Sequence, residues 1–513
     1  MPQGDLYFLG AYYTTCEAIP THSKMADDLH FVIFPLTNQG HMIPMVDIAR
    51  ILARRGATVT IVTTPLTAAR FRPSLSRAKL NIQLLELQLP LGEVGLPEGS
   101  ENFDRIPPPE DAIKIFTAMD MLEKPAEDLL RRLSPPPACI ISNFVFTANI
   151  ARRLNIPRFV FNGPGCFWLL CQHIAVQTNI LDRIGSDSDR FILPGLPHKV
   201  EFTKPKVSGV SEGRSAHQKL ILRRFQEAEE NAYGIVVNSF DELEHKYINE
   251  LVKAKSKKVW CIGPVSLCNK DSKDIAERGN HKGAITEHDC LEWLDAREPG
   301  SVVYVGLGSL TRMSTKQAIE VALGLESTNQ PFIWCVRTEP EELKKWFWEQ
   351  GFEERVSDRG LIVHGWAPQV LILSHRSVGG YLTHCGWNST LESISGGVPM
   401  VTWPHFSDQF INETFIVEIL KIGVRIGVEV PVFDESEMGV MVKKDDIRIA
   451  VECLMDDGEE GKLRRKRVGE LAEMAKKAME EGGSSYLNVS SLIEDVRGWD
   501  RKNGKSEAVP ATV

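Results

Sequence analysis

From His30 onward, short runs of β-branched and aromatic residues alternate with stretches whose apolar positions recur at helical spacing. HFVIFPL (30–36) predicts a buried strand, Ile43–Arg55 a helix, and ATVTIVTT (57–64) the next strand. ACIISN (138–143), RFVFN (158–162) and YGIVVNS (233–239) continue the series, with AHQKLILRRFQEAEENA (216–232) a helix between the last two. A second series follows: SVVYVGL (301–307), PFIWCVR (331–337), GLIVHGW (360–366), VGGYLTH (378–384) and VPMVTW (398–403). A charged helix from about Glu459 to Glu481 and the segment SYLNVSSLIEDVRG (485–498) finish the chain. Strand–helix alternation of this kind predicts parallel sheets covered by helices. The fold class is therefore α/β, with two Rossmann-like, doubly wound domains facing each other and a ligand cleft at the carboxyl ends of their strands.

A length of 513 residues suits two cores rather than one. Met25 opens MADDLHFVIFPL like a natural start, so residues 1–24 are expected to be a disordered extension. The first domain is expected over 25–268, its strand series ending before Pro264. The polar, glycine-containing stretch NKDSKDIAERGNHKGA (269–284) predicts a linker over 269–285. The second domain then spans 286–482. A terminal helix over 483–500 is expected to pack back on the first domain, before a disordered tail at 501–513.

The formal net charge of −9 excludes the basic footprint that nucleic acid needs. The KLRRKR run (462–467) lies between acidic residues and reads as a solvated helix face. Ten cysteines without a C-x-x-C pair imply reduced thiols, and with them a cytoplasmic location. No apolar stretch reaches the roughly 18 residues of a membrane span, so no integral membrane segment is expected. The sequons at Asn388, Asn412 and Asn488 carry little meaning without a secretory route.

The densest chemistry lies between 366 and 409, WAPQVLILSHRSVGGYLTHCGWNSTLESISGGVPMVTWPHFSDQ. Trp366 follows a strand at the domain's carboxyl edge, where an indole stacks on a base or simply packs in the core. In THCGWNST (383–390) a strand gives way to a helix beginning near Asn388, and helix N-termini attract phosphate. Asn388 and Ser389 read equally well as helix caps, a geometry compatible with phosphate binding. Glu392 lies four residues after Asn388 on the same helical face. Asp408 and Gln409 set a carboxylate beside an amide, the acceptor and donor mix that vicinal sugar hydroxyls need. VGLGSL (305–310) lacks the third glycine of a dinucleotide fingerprint, because Thr311 stands there.

This segment resembles the signature box of plant family-1 UDP-glycosyltransferases, and the resemblance runs on from Met25. It implies a GT-B fold and an enzyme, a hexosyltransferase using UDP-glucose. Trp366 is then expected to stack on uracil, the Ala367 backbone to read the uracil edge, and Gln369 to reach the ribose. His384, Asn388, Ser389 and Ser309 are expected at the phosphates, Glu392 at the ribose hydroxyls, and Trp387, Asp408 and Gln409 at the sugar. A glutamine at 409 goes with glucose in that family. The diphosphate charge is expected to be met by helix dipole, backbone N–H groups and His384, with neither cofactor nor metal, since no D-x-D lies near the donor site.

In NQGHMIPM (38–45), His41 sits between the first strand and first helix, at the mouth of the sheet. Removing an acceptor's hydroxyl proton during inverting transfer suits a histidine near neutral pH, and the resemblance assigns His41 that role. The family's partner aspartate is replaced by Asn143, which can fix the imidazole's tautomer but carries no charge. The expectation is that Asn143 weakens the base, with a weakly active or inactive UDP-sugar-binding homologue as the rival reading. GLPEGSENFD (95–104), FNGPGCFWLLC (161–171) and ERGNHKGAITEHDCLEWLD (277–295) resemble subgroup D members, which act on terpenoids, steroids, flavonoids and other phenolics. Phe144, Phe146, Phe167 and Trp168 are candidate acceptor lining and equally candidate core. The partners implied are a small-molecule acceptor and a UDP-sugar, on a monomer.

Overall fold

The computed structural model describes residues 26, 28–101, 109–208, 223, 226–278, 285–311, 313–337, 339–432 and 441–502. The extension at 1–24, most of the tail at 501–513 and much of the predicted helix 216–232 lie outside these residues.

Two parallel sheets form the frame. The first has the order β3-β2-β1-β4-β5-β8-β9, from β1 (His30–Phe34), β2 (Thr58–Thr63), β3 (Ile82–Glu86), β4 (Cys139–Ser142), β5 (Arg158–Asn162), β8 (Gly234–Val237) and β9 (Lys258–Cys261). A short antiparallel hairpin, β6 (Arg190–Ile192) with β7 (Glu201–Thr203), stands apart from it. The second sheet has the order β12-β11-β10-β13-β14-β15. Its strands are β10 (Val302–Gly306), β11 (Phe332–Val336), β12 (Gly360–His364), β13 (Val378–Thr383), β14 (Met400–Thr402) and β15 (Gly423–Arg425). Counted from β10, that is the doubly wound order 3-2-1-4-5-6, and each sheet reverses direction between its first and fourth strand. β3, β9 and β15 escaped the sequence pattern. β3 is only half-buried (ieiie) and β15 has three residues, so neither produces a long apolar run.

The reversal points decide where loops gather. In the first sheet they place the chain after β1 beside the chain after β4; in the second, the chain after β10 beside that after β13. The helix after β1 runs Gln39–Arg54, starting four residues before the apolar pattern suggested. Its cap is Asn38, whose side chain accepts from the His41 N–H, and this pulls His41 into the first turn.

An apolar seam joins the domains. Phe167 stacks on Phe415 at 5.2 Å and meets Tyr247 at 4.8 Å, and Trp387 lies 6.1 Å from Phe415. The helix Cys166–Thr178 has no capping side chain at Gly165. Buried Glu244 substitutes, accepting from the N–H groups of Cys166 (3.0 Å) and Phe167 (2.7 Å). The C-terminal helix Ser484–Lys502 lies on the first sheet: Val489, Leu492, Ile493 and Val496 enter its core, and Lys258 pairs with Asp495 at 2.7 Å. No helix among the described residues is long and apolar enough to cross a membrane.

The stretch after Cys268, expected as the linker, is partly buried. Asn269 is buried, Ser272–Ala276 is a helical turn, and Arg278 has only 8% of its side chain exposed. Asn269 and the Arg278 side chain are buried with partners, whereas Lys270, Asp271 and Lys273 are exposed.

Candidate functional site

Between the sheets lies a cavity of about 270 Å³. Both domains line it: Asn38, Gly40, His41 and Gly163 from the first, and Ser309, Trp366, Ala367, Gln369, His384, Trp387, Asn388, Ser389, Glu392, Asp408 and Gln409 from the second. Every donor-site residue expected from the signature segment therefore converges on one space, together with the histidine from the opposite domain.

The nucleotide end is built around Trp366, whose ring carries the Arg337 guanidinium 4.9 Å from its centroid. Gln369 is held on both sides: Oε1 accepts from Tyr381 (3.0 Å) and Tyr304 (3.3 Å), while Nε2 donates to Ser389 Oγ (3.0 Å) and Glu392 Oε2 (2.7 Å). Ser389 is thus part of one network with Glu392 rather than a helix cap. The cap of the helix Trp387–Gly396 is Gly386, which has no side chain to bond the first turn, and the Asp408 carboxylate accepts from the backbone N–H of Trp387. Asn388 and Ser389 at this end line the cavity, where the helix dipole attracts an anion.

His384 explains two glycines. A Cβ on Gly308 would stand 2.5 Å from its Nε2, and one on Gly386 2.4 Å away. Gly308, the second glycine of VGLGSL, makes room for this ring and has φ +82°, which an L side chain resists; Gly306 instead faces Tyr304. Burial, with His405 nearby, lowers the His384 pKa to about 3. His384 is therefore neutral at pH 7, a ring that can donate one hydrogen bond but carries no charge. Cys385 (φ 65°) and Ser407 (φ 61°) also hold left-handed backbone beside the cavity, strain of the kind that clusters at binding sites.

At the sugar end, Gln409 Oε1 accepts from the backbone N–H of His405 (2.8 Å) and Phe406 (3.2 Å), so the amide nitrogen keeps its hydrogen-bonding capacity. Asp408 accepts from Asn412 at 2.7 Å, and burial raises its pKa to about 6 despite that bond. Trp387 plays a different part from the one expected. Its indole N–H donates to Asn238 O at 2.7 Å, and its ring lies against Gly165, where a Cβ would stand 2.5 Å away. Asn388 likewise bridges domains, donating to Gly40 O (2.7 Å) and accepting from Asn238 (3.1 Å).

The catalytic pair requires a correction. His41 Nδ1 faces Asn38 Oδ1 at 2.8 Å, and the same oxygen accepts the His41 backbone N–H at 2.9 Å. An oxygen accepting at both places puts the ring proton on Nδ1 and leaves the lone pair on Nε2. Asn143 instead donates to Phe161 O, and its own Oδ1 is buried without a partner. Asn38, not Asn143, orients the imidazole. The capping asparagine that opens NQGH was the available signal. Burial lowers the His41 pKa to about 4, so the ring is neutral and able to accept a proton near pH 7.

None of the four aromatic acceptor candidates lines the large cavity. Phe144 and Phe146 stack at 5.3 Å beside a separate small cavity next to Thr37 and Met119. Phe167 belongs to the interdomain seam, and Trp168 packs at its margin with an unpartnered indole N–H.

Two Rossmann-ordered sheets with a cavity between them lined by both domains are the GT-B architecture of glycosyltransferases. Residues 27–267 match the family described as "Glycosyltransferase, N-terminal domain", and 273–457 that described as "UDP-glucoronosyl and UDP-glucosyl transferase". UDP-glycosyltransferase 73E1 of Stevia rebaudiana is 64% identical over 91% of this chain and 96% of its own length. UDP-glycosyltransferase 73C5 of Arabidopsis thaliana is 50% identical over 93% and 98%. Among solved structures, Glycyrrhiza uralensis UGT73P12, complexed with glycyrrhetinic acid 3-O-monoglucuronide, superposes with a TM-score of 0.85 at 35% identity, covering 93% of this chain and 97% of that one. Phytolacca americana UGT2, complexed with UDP-2fluoro-glucose and pterostilbene, gives 0.72 at 28% identity, covering 91% and 100%. The chain belongs to the plant UDP-glycosyltransferases, and it is an enzyme of that hexosyltransferase class.

Proposed function

We propose that this enzyme transfers glucose from UDP-glucose, with inversion, to a hydroxyl of a small lipophilic metabolite such as a triterpenoid, steroid or phenolic. The observation that carries this reading is the placement of the free Nε2 of His41 on the same cavity as Trp366, Glu392, Asp408 and Gln409. In the reaction, the acceptor oxygen attacks the anomeric carbon as its proton passes to Nε2, and the bond from that carbon to the diphosphate oxygen breaks. Charge gathers on the leaving diphosphate, where the N-terminus of the helix Trp387–Gly396 supplies the N–H groups of Asn388 and Ser389 and a positive dipole end. Asp408 accepts from sugar hydroxyls and the Gln409 amide donates to them. The ligands named for the two solved relatives support a lipophilic acceptor and a UDP-linked hexose.

Incubation with UDP-glucose, and separately UDP-galactose, across triterpenoid, steroid and phenolic acceptors tests the proposal by a mass gain of one hexose. A β-linked glucoside formed faster than the galactoside supports it. Tight UDP binding with no turnover on any acceptor would overturn it in favour of the weakly active homologue.

A further inference from the structure

A buried chain of charge crosses from one domain to the other beneath the nucleotide end of the cleft. Asp47 lies six residues after His41 on the same helix and uses both carboxylate oxygens: Oδ1 accepts from Asn269 (2.8 Å) and Oδ2 from Arg278 Nε (2.8 Å). The other arm of Arg278 donates to Glu392 Oε1. The side chains of Asp47, Arg278 and Glu392 are 3%, 8% and 6% exposed. Burial penalises the guanidinium's charge, but Asp47 and Glu392 outweigh that and raise its pKa above the ordinary value. Arg278 and Glu392 both line the cavity, and the far oxygen of Glu392 is held by Gln369.

We propose that Arg278, from the segment joining the domains, is a positioning residue of the nucleotide site. It fixes the Glu392 carboxylate for a ribose diol and ties it through Asp47 to the helix that carries His41. This rests on the UDP-sugar reading given above. A carboxylate offers about four acceptor positions. Arg278 and Gln369 fill one on each oxygen, which leaves one on each for the two O–H donors of a vicinal diol. An unanchored glutamate on a helix loses rotamer freedom when it binds; this one has already been ordered. A guanidinium is required because its fork reaches two carboxylates at once, which an ammonium on a flexible stem does not reproduce.

The test is calorimetric titration with UDP and with 2′,3′-dideoxy-UDP. The wild-type enzyme is measured first: equal affinity for the two nucleotides would refute Glu392 as a ribose ligand and so the reading beneath this proposal. Given a preference for UDP, Arg278→Gln is expected to weaken UDP by about tenfold or more, the scale of a charge-assisted hydrogen bond, and dideoxy-UDP by less than about twofold. Arg278→Lys keeps the charge within the fold and is expected to lose less, again only with the hydroxyl-bearing nucleotide. Adding Glu392→Gln to Arg278→Gln is expected to cost little more than either alone. Equal weakening of both nucleotides in the two Arg278 variants, or undiminished UDP binding in Arg278→Gln, overturns the proposal.

Discussion

Replacing Asn38 by aspartate isolates what this enzyme's imidazole lacks. The Oδ1 atom of Asn38 sits 2.8 Å from His41 Nδ1 and caps the first helix by accepting the His41 N–H. Aspartate keeps both bonds, is an equally good cap, and adds a negative charge favoured at a helix N-terminus. The change is therefore electrostatic with little cost in stability. Burial holds His41 at about 4, well below neutrality. A carboxylate at hydrogen-bond distance raises a neighbouring pKa by about 1–3 units. Each unit is worth about 1.4 kcal/mol, and if roughly half of it reaches the transition state, kcat rises about 3- to 30-fold. Asn38→Ala removes both cap and orienting oxygen. Stability then drops by about 1 kcal/mol, and kcat falls by about 10² or more as the wrong tautomer becomes populated. The assay is kcat against pH with saturating UDP-glucose and one good acceptor. The aspartate variant is expected to shift the acidic limb upward in pH along with its higher plateau. An Asn38→Asp enzyme no faster than wild type, with an unmoved limb, refutes the assignment of Asn38 as the orienting group.

Asn143→Asp should behave in the opposite way: its Nδ2 donates to Phe161 O, so a carboxylate oxygen there meets a carbonyl, and stability falls by about 1–3 kcal/mol without a gain in kcat. A faster Asn143→Asp enzyme with an unchanged melting temperature would restore the partner role first assigned to Asn143. Acid stability follows from the two depressed histidines, His41 at about 4 and His384 at about 3. Between pH 6.5 and those values the unfolded chain binds protons that the folded chain refuses, so their contribution is full above pH 6.5 and is lost on acidification. By pH 5 the loss is about 1–2 kcal/mol for each. Asp408, raised to about 6, has the reverse sign between pH 3.8 and 6 and offsets part of this. Melting curves from pH 7 to 5 should slope downward for wild type and less steeply for His384→Gln; parallel slopes would refute the account. Asp408 also predicts that KM for the donor rises as pH falls through about 6, because a protonated carboxyl accepts fewer sugar hydroxyls. Asp408→Asn should already show a raised, pH-independent KM, and an unchanged slope in that variant would rule Asp408 out.

The strands legible in the sequence were those buried on both faces, such as Phe31–Ile33 and Val302–Val305, because continuous burial writes a continuous apolar run. The donor pocket was legible for a related reason. Trp366 through Gln409 form a local string in which strand, turn and helix fix the spacing of ring, glycine, amide and carboxylate, and all of these residues reach one cavity. Composition and charge alone set aside nucleic acid as a partner.

Other features were decided only by three-dimensional packing. Asn38 took the place of Asn143 because one side-chain oxygen both caps the helix and accepts from the imidazole, within a single turn rather than across the sheet. Trp387 gave its indole N–H to Asn238 because Gly165 has no side chain to hold the domains apart. The Asp47–Arg278–Glu392 bridge joins residues 231 and 114 positions apart. Sequence spacing carries no record of such contacts: a charged residue looks the same in the chain whether water or two carboxylates surround it, and only folding settles which environment it receives.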